Sequence, residues 1–209
     1  DMMFPRPSDT ASHQLPQPES QEALAQLLAR RELELAAAQR MLEVFSQETR
    51  LQDLLEQGLQ IALDITNAEN GSVLLADTDK RALVFYHSIG QNPVTPGTAV
   101  PWDEGIAGTV YRTGVPEIVP DAQTDHRHFK KVDEATGTIT HDMITIPLKR
   151  WGGDPIGVIQ VMNKRGGEVL NRDDLAILTI ISALAAVAIE HTRLVEAAKL
   201  AEVAKLMGD

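Results

Sequence analysis

Two long proline-free segments bracket this sequence and dictate how the residues between them can be arranged. The first runs from Ser20 to about Thr66 and is interrupted only by Gly58; the second runs from Arg172 toward the C-terminus. Apolar residues recur in both at helical spacing, so both read as α-helices. Ser20 has the side chain of an N-cap. Leu24, Leu28, Leu35, Ala38, Leu42 and Phe45 follow four- and three-residue steps, with Arg31 in the one gap. That is the seam of a two-stranded coiled coil, flanked by Arg30, Glu32, Glu34, Arg40 and Glu43. The other reading is one amphipathic helix lying on its own domain. The coiled coil is preferred because this segment precedes the globular region and has little else to pack on. Beyond Arg50 the stripe Leu51, Leu54, Leu55, Leu59, Ala62, Ile65 is wider and suits a helix covering a sheet.

The C-terminal helix opens with Asn171 and Asp174 at the N-cap and N3 positions, a capping box with Asp in place of Glu. Its first half is apolar nearly all round, as a sheet-packed helix is. Its second half carries Leu194, Ala197, Ala201 and Ala204 on a narrow seam. The longest apolar run, Ala176 to Ile189, is broken by Thr179 and Ser182. It falls short of the roughly 18–20 residues of a membrane span. A buried helix, without direct membrane contact, is expected.

The centre alternates between strand and turn signals. Gly71–Ala76 and Ala82–Ser88 read as strands around the turn Asp77-Thr78-Asp79-Lys80. After a loop with Pro93, Pro96 and Gly97, Thr98–Pro101 forms a short strand. Asp103 is expected to cap a helix from Glu104 to Thr113, stopped by Gly114. Pro116–Val119 is another short strand, and 121–140 is polar. Met143–Leu148 and Ile156–Met162 form a hairpin around Trp151-Gly152-Gly153-Asp154. Residues 1–19, with Pro5, Pro7, Pro16 and Pro18, lack the side chains of a core and read as a disordered lead-in. The expected organisation is a lead-in at 1–19, a signalling helix at 20–49, an α+β domain at 50–190 and a linker helix at 191–209.

Charge and cysteine content narrow the chemistry. The chain has 209 residues with 19 basic and 30 acidic side chains, a net charge of −11. Such a surface repels phosphate backbones, so no nucleic-acid partner is expected. There is no cysteine, which removes disulfides, thiolate nucleophiles and cysteine-held zinc and fits a reducing compartment. A cytoplasmic location is expected.

Several short runs, in order, resemble one family. Trp102-Asp103-Glu104-Gly105-Ile106-Ala107-Gly108 is similar to the GEGIAG turn of GAF domains. Thr113 to Asp121 resembles their TGEPVVIPD strand, and Asp125-His126-Arg127-His128-Phe129 their DPRF helix. Ile144–Leu148 and Pro155–Val161 resemble the final hairpin, and Asn163-Lys164 with Asn171–Leu175 closes the pattern. Gly105 and Gly108 would let a helix start approach a sheet edge, where free N–H groups attract anions; a plain tight turn is the simpler reading.

The resemblance implies a six-stranded antiparallel sheet of the GAF/PAS type, with the long terminal helices on one face extending into a coiled-coil stalk. It also implies a pocket on the other face that binds a regulatory small molecule. The candidate ligand residues are Trp102, Gly105, Ile106, Asp121, His126, His128, Phe129, His141 and Asp142. The candidate dimer residues are Leu28, Leu35, Leu42, Phe45, Leu194 and Ala201. Asn163, Lys164 and Asp174 match the family's structural contact. Leu170 and Leu175 stand where cyclic-nucleotide-binding members carry Phe and Glu, so a cyclic nucleotide stays one ligand among others. A covalent bilin is excluded by the lack of cysteine, as is methionine sulfoxide reduction of the family's type. His126, His128 and His141, with Asp121, Asp125 and Asp142, leave a haem or ferrous site as a further alternative to solvated loop histidines.

No catalytic motif appears. His191 is followed by Thr192-Arg193-Leu194 and reads as a stalk residue. Residues 201–209 resemble the lead-in to the dimerisation helix of sensor histidine kinases. The expectation is a homodimeric regulatory domain that acts on an effector outside this chain, most simply a histidine kinase, with a ligand-free dimerisation spacer as the alternative.

Overall fold

The computed structural model describes residues 21–47, 50–127 and 130–208. The expected lead-in, Ser20, His128 and Phe129 lie outside the described residues. Eleven elements follow in order: α1 (Gln21–Ser46), α2 (Leu51–Thr66), β1 (Ala68–Asp77), β2 (Ala82–Ile89), β3 (Ala99–Pro101), α3 (Gly105–Thr113), β4 (Glu117–Val119), α4 (Lys130–Thr136), β5 (Met143–Leu148), β6 (Gly157–Lys164) and α5 (Arg172–Gly208).

The strands form one six-stranded sheet in the order β3-β2-β1-β6-β5-β4, with every pair antiparallel. The β1–β2 turn is the expected one: Asp77 Oδ1 accepts the backbone N–H groups of Asp79 and Lys80 at 3.1 and 3.0 Å. Successive side chains point to opposite faces. Val73, Leu75, Ile144, Ile146, Ile159 and Val161 thereby join a core beneath α2 and α5. Leu74, Phe85, Met143 and Val158 join a second core beneath α3. The fold is α+β, as expected.

The N-terminal helix differs from the stalk reading. It lies on its own domain, packed against α2 and α5 through Glu34, Ala37 and Met41. Gly58 leaves a flat spot on α2 that receives the Met41 methyl, 3.8 Å from where a Cβ would stand. Arg40 pairs with Asp64 at 3.5 Å, and Arg30 pairs with Asp173 in the first turn of α5. The heptad pattern hid this second face because it is short and begins with a charged residue, Glu34. Phe45, expected in the dimer seam, is half-buried against its own domain. Leu28, Leu35 and Leu42 remain 56–64% exposed.

α5 starts as the capping box predicts. Asn171 Oδ1 accepts the N–H groups of Asp173 and Asp174 at 2.9 and 3.2 Å, and Asp174 Oδ2 accepts the N–H of Asn171 at 3.0 Å. By length and composition α5 is apolar enough to cross a membrane, with a mean hydropathy of 1.9 over 18 residues. That apolar window is longer than the sequence reading allowed. Ile177, Leu178, Ile181, Ala185, Ala186 and Ile189 are buried against the sheet and α2, and 39% of that window is buried. From Glu196 onward the helix is exposed, with Leu200 and Leu206 each 72% accessible, and Leu194 just before it is 71% accessible.

Candidate functional site

A cavity of about 80 Å³ lies on the face of the sheet opposite α2 and α5. That is room for several waters or one small organic molecule. Its floor is made by side chains one residue out of phase with the packed core. Ser72 and Leu74 come from β1, Met143 from β5, and Gln160 and Met162 from β6. The start of α3 walls one side. The loop around Asn92–Val94 and one face of α4 form the mouth.

The polar groups of the site are ordered by one another. The Ser72 and Ser88 hydroxyls are 2.9 Å apart. Gln160 Nε2 donates to Thr145 Oγ1 at 3.2 Å, which fixes the carboxamide beside the cavity. Asp133 of α4 accepts both the N–H and the hydroxyl of Thr140, at 3.0 and 2.9 Å, and so fastens the roof helix to the wall. Gln123 Nε2 donates to the Thr140 carbonyl at 2.8 Å.

Backbone geometry shapes the α3 wall. Gly105 sits at φ +71°, and a Cβ on Gly108 would stand 2.8 Å from the Trp102 carbonyl oxygen. Glycine therefore lets α3 pack down on the turn that follows β3. The expected cap is displaced by one residue. The N-cap is Glu104, not Asp103; its side chain makes no capping bond, and the residue lines the cavity mouth.

The expected ligand residues separate into groups. Gly105 and Ile106 line the cavity. Trp102 lies outside its lining, stacked on Tyr111 at 5.9 Å with the Arg81 guanidinium 6.0 Å from its ring, and braces the outer side of α3. Asp121, His126 and His141 are exposed. Asp142 is buried away from the cavity, where its carboxylate accepts the Leu170 N–H at 2.9 Å and the Lys164 N–H at 3.4 Å. Among the described residues, no group of three or more His, Cys, Asp and Glu is arranged to hold a metal ion. Asp125 is instead taken up by Arg127, which also pairs with Glu117 at 2.6 Å. The hydrogen bond from Arg127 holds the Asp125 carboxyl below the usual carboxylate range, and the same pairing raises Arg127.

The sequence reading missed Ser72, Phe85, Ser88, Gln160 and Met162. The alternation of β6 carried a signal: Gln160 and Met162 share one face, while Ile159 and Val161 share the other.

Asn163, Lys164 and Asp174 form a closed polar knot beside the site. Asn163 adopts φ +63°, and its side chain accepts the His141 N–H at 2.8 Å and donates to the Ile139 carbonyl at 2.9 Å. Lys164 Nζ reaches both Asp174 oxygens at 2.9 and 2.8 Å, and both side chains are nearly buried. The cavity wall at Thr140 is thus two short links from the first turn of α5.

Comparison with known proteins places this architecture. The chain is 29% identical over 202 residues to the dual 3′,5′-cyclic-AMP and -GMP phosphodiesterase 11 of Drosophila melanogaster. The match covers 90% of this chain and 14% of that enzyme. Among solved structures, the GAF domain of a phosphoenolpyruvate-protein phosphotransferase from Coxiella burnetii superimposes with a TM-score of 0.69. It is 18% identical, covering 78% of this chain and 96% of that one. The free methionine-R-sulfoxide reductase of Neisseria meningitidis has the same fold, with a TM-score of 0.64 at 19% identity over 79% of this chain and 91% of that one. The model of the GAF domain family matches residues 48–190, and with this sheet, roofed cavity and bracketing helices the chain belongs to that family.

Proposed function

We propose that the domain is a regulatory small-molecule sensor. Occupancy of the cavity is passed through α1 and α5 of a homodimer to an effector outside this chain, a cytoplasmic histidine kinase. The observation that carries the reading is a cavity floored by ordered hydroxyl and carboxamide groups and left open among the described residues. The knot gives it a route outward, since Ile139 and His141, the chain neighbours of Thr140, bond the Asn163 side chain and the adjacent Lys164 bonds Asp174 of α5, all at 2.8–2.9 Å. The homodimer is supported by Leu28, Leu35 and Leu42, exposed at seven-residue intervals on α1, and by Leu194 and Ala201 at the same interval on α5. The resemblance of residues 201–209 to the helix that precedes a phosphoacceptor motif supports the kinase. A ligand shifts such a dimer by no more than its difference in affinity for the two helix arrangements.

Native mass spectrometry of the purified wild type and of Leu42→Asp tests the reading. The wild type is expected as a dimer retaining a small molecule in stoichiometric amount, and Leu42→Asp as a weaker dimer, because a buried unpaired carboxylate is strongly unfavourable. A dimer empty in every preparation would favour a spacer over a sensor, and a stable monomer would sink the transmission route.

A further inference from the structure

Resting on the sensor reading, we infer that the cavity takes an uncharged, planar ring compound with an amide-like edge and discriminates against anions. Charge is the first argument. Two carboxylates face the space, Glu104 at its mouth and Asp133 on the roof. The start of α3 is where an anion would otherwise be drawn, since its N-terminal N–H groups carry about half a positive charge. Glu104 occupies the N-cap of that helix and lines the mouth, so a full negative charge stands beside the partial positive one. Among the described residues, the lining includes no Lys, Arg or His; Lys131 belongs to the outer mouth. An entering anion would lose water without gaining an ion pair.

The floor supplies the second argument. Gln160 uses one N–H on Thr145, and among the described residues its carbonyl oxygen and other N–H have no further bond. A side-chain amide held this way offers one donor and one acceptor side by side, the complement of another amide. Phe85, Met143 and Met162 surround it with a ring and two thioethers, which favour contact with aromatic ring edges. The volume of about 80 Å³ is small beside the roughly 300–1,000 Å³ of common ligand clefts, which favours a small molecule over a nucleotide.

Matched pairs that differ only in charge test this. Nicotinamide against nicotinate, and benzamide against benzoate, are titrated onto the full chain at pH 7 by ligand-observed NMR, with cyclic AMP as a third anion. The amides are expected to bind roughly tenfold or more tighter than their carboxylates. Glu104→Gln, at an exposed position, should narrow that gap, and Gln160→Leu should remove the preference for the amide. Equal or tighter binding of the carboxylates or of cyclic AMP overturns the inference, as does amide binding that Gln160→Leu leaves unchanged. Failure of every pair to bind also overturns it. The sensor reading stands apart from these outcomes, because it is decided by the retained mass and the oligomeric state in the native spectra.

Discussion

On strand β6, Ile159 and Val161 pack beneath α2 and α5, while Gln160 and Met162, one residue out of phase, border the cavity. The same division runs through β1, where Val73 and Leu75 face the helices and Ser72 and Leu74 face the cavity. The helix side is branched aliphatic carbon filled to contact. The cavity side mixes hydroxyl, carboxamide, thioether and one aromatic ring around unfilled space. Both faces share one backbone, so the hydrogen-bond ladder cannot account for the difference. Side-chain choice at alternate positions makes one face a foundation and the other a site.

The largest expected effect is at the junction of the two faces. Lys164→Met removes the partner of Asp174 and leaves a carboxylate that is 6% exposed, held among the described residues by the Asn171 N–H alone. Breaking a buried pair from one side costs about 3–5 kcal/mol, whereas replacing both members with apolar residues often restores much of the loss. Urea unfolding should therefore show a large drop for Lys164→Met and substantial recovery for Lys164→Met with Asp174→Leu. A single substitution that leaves the unfolding midpoint in place would mean that the knot does not fasten α5 to the sheet.

A pair of identical substitutions sharpens the contrast between the faces. Val161 is fully buried on the helix side, and Val132 points from α4 into the cavity lining. Val161→Leu forces a methylene into a filled core, an overpacking penalty of about 1–3 kcal/mol. Val132→Leu adds the same group where there is room, and leucine is the better helix former. Thermal unfolding should separate the two by several degrees. Equal losses would show that the cavity closes in solution, and the distinction between foundation and site would fail.

Legibility in the sequence followed the same division. The foundation was readable because it repeats: the wide stripe of α2, the apolar first half of α5 and the alternating strands each signal burial by period. Asn171 and Asp174 were readable as a cap because that chemistry is local. The site was less so. Gly105 and Ile106 stand out in a motif, but Gln160 becomes a floor residue only once β6 lies between β1 and β5. The histidines drew attention for their chemistry, yet His126 and His141 are exposed. The packing of α1 on its own domain was hidden because its docking face, Glu34, Ala37 and Met41, is short and partly charged, while the exposed leucines are the more regular pattern.

The smallest effect concerns the roof. Arg127 binds Glu117 on β4 and Asp125 in the loop before α4, and so holds the segment that leads into the roof helix. Both pairs are partly exposed, so Arg127→Ala should lower global stability by no more than about 1 kcal/mol. Its signature is in pH. Hydrogen bonding to Arg127 lowers the Asp125 pKa in the folded state, so this pairing contributes stability that is complete above the ordinary carboxylate pKa. The contribution is lost as pH falls from that value through the lowered one. Hydrogen exchange of the 121–136 segment in the wild type should therefore accelerate across the acid range below about pH 4. In Arg127→Ala the segment should exchange faster at neutral pH and gain little more on acidification, while β5 and β6 stay protected. A parallel acid response in the two proteins would assign it to other carboxylates and remove Arg127 as the staple of the roof.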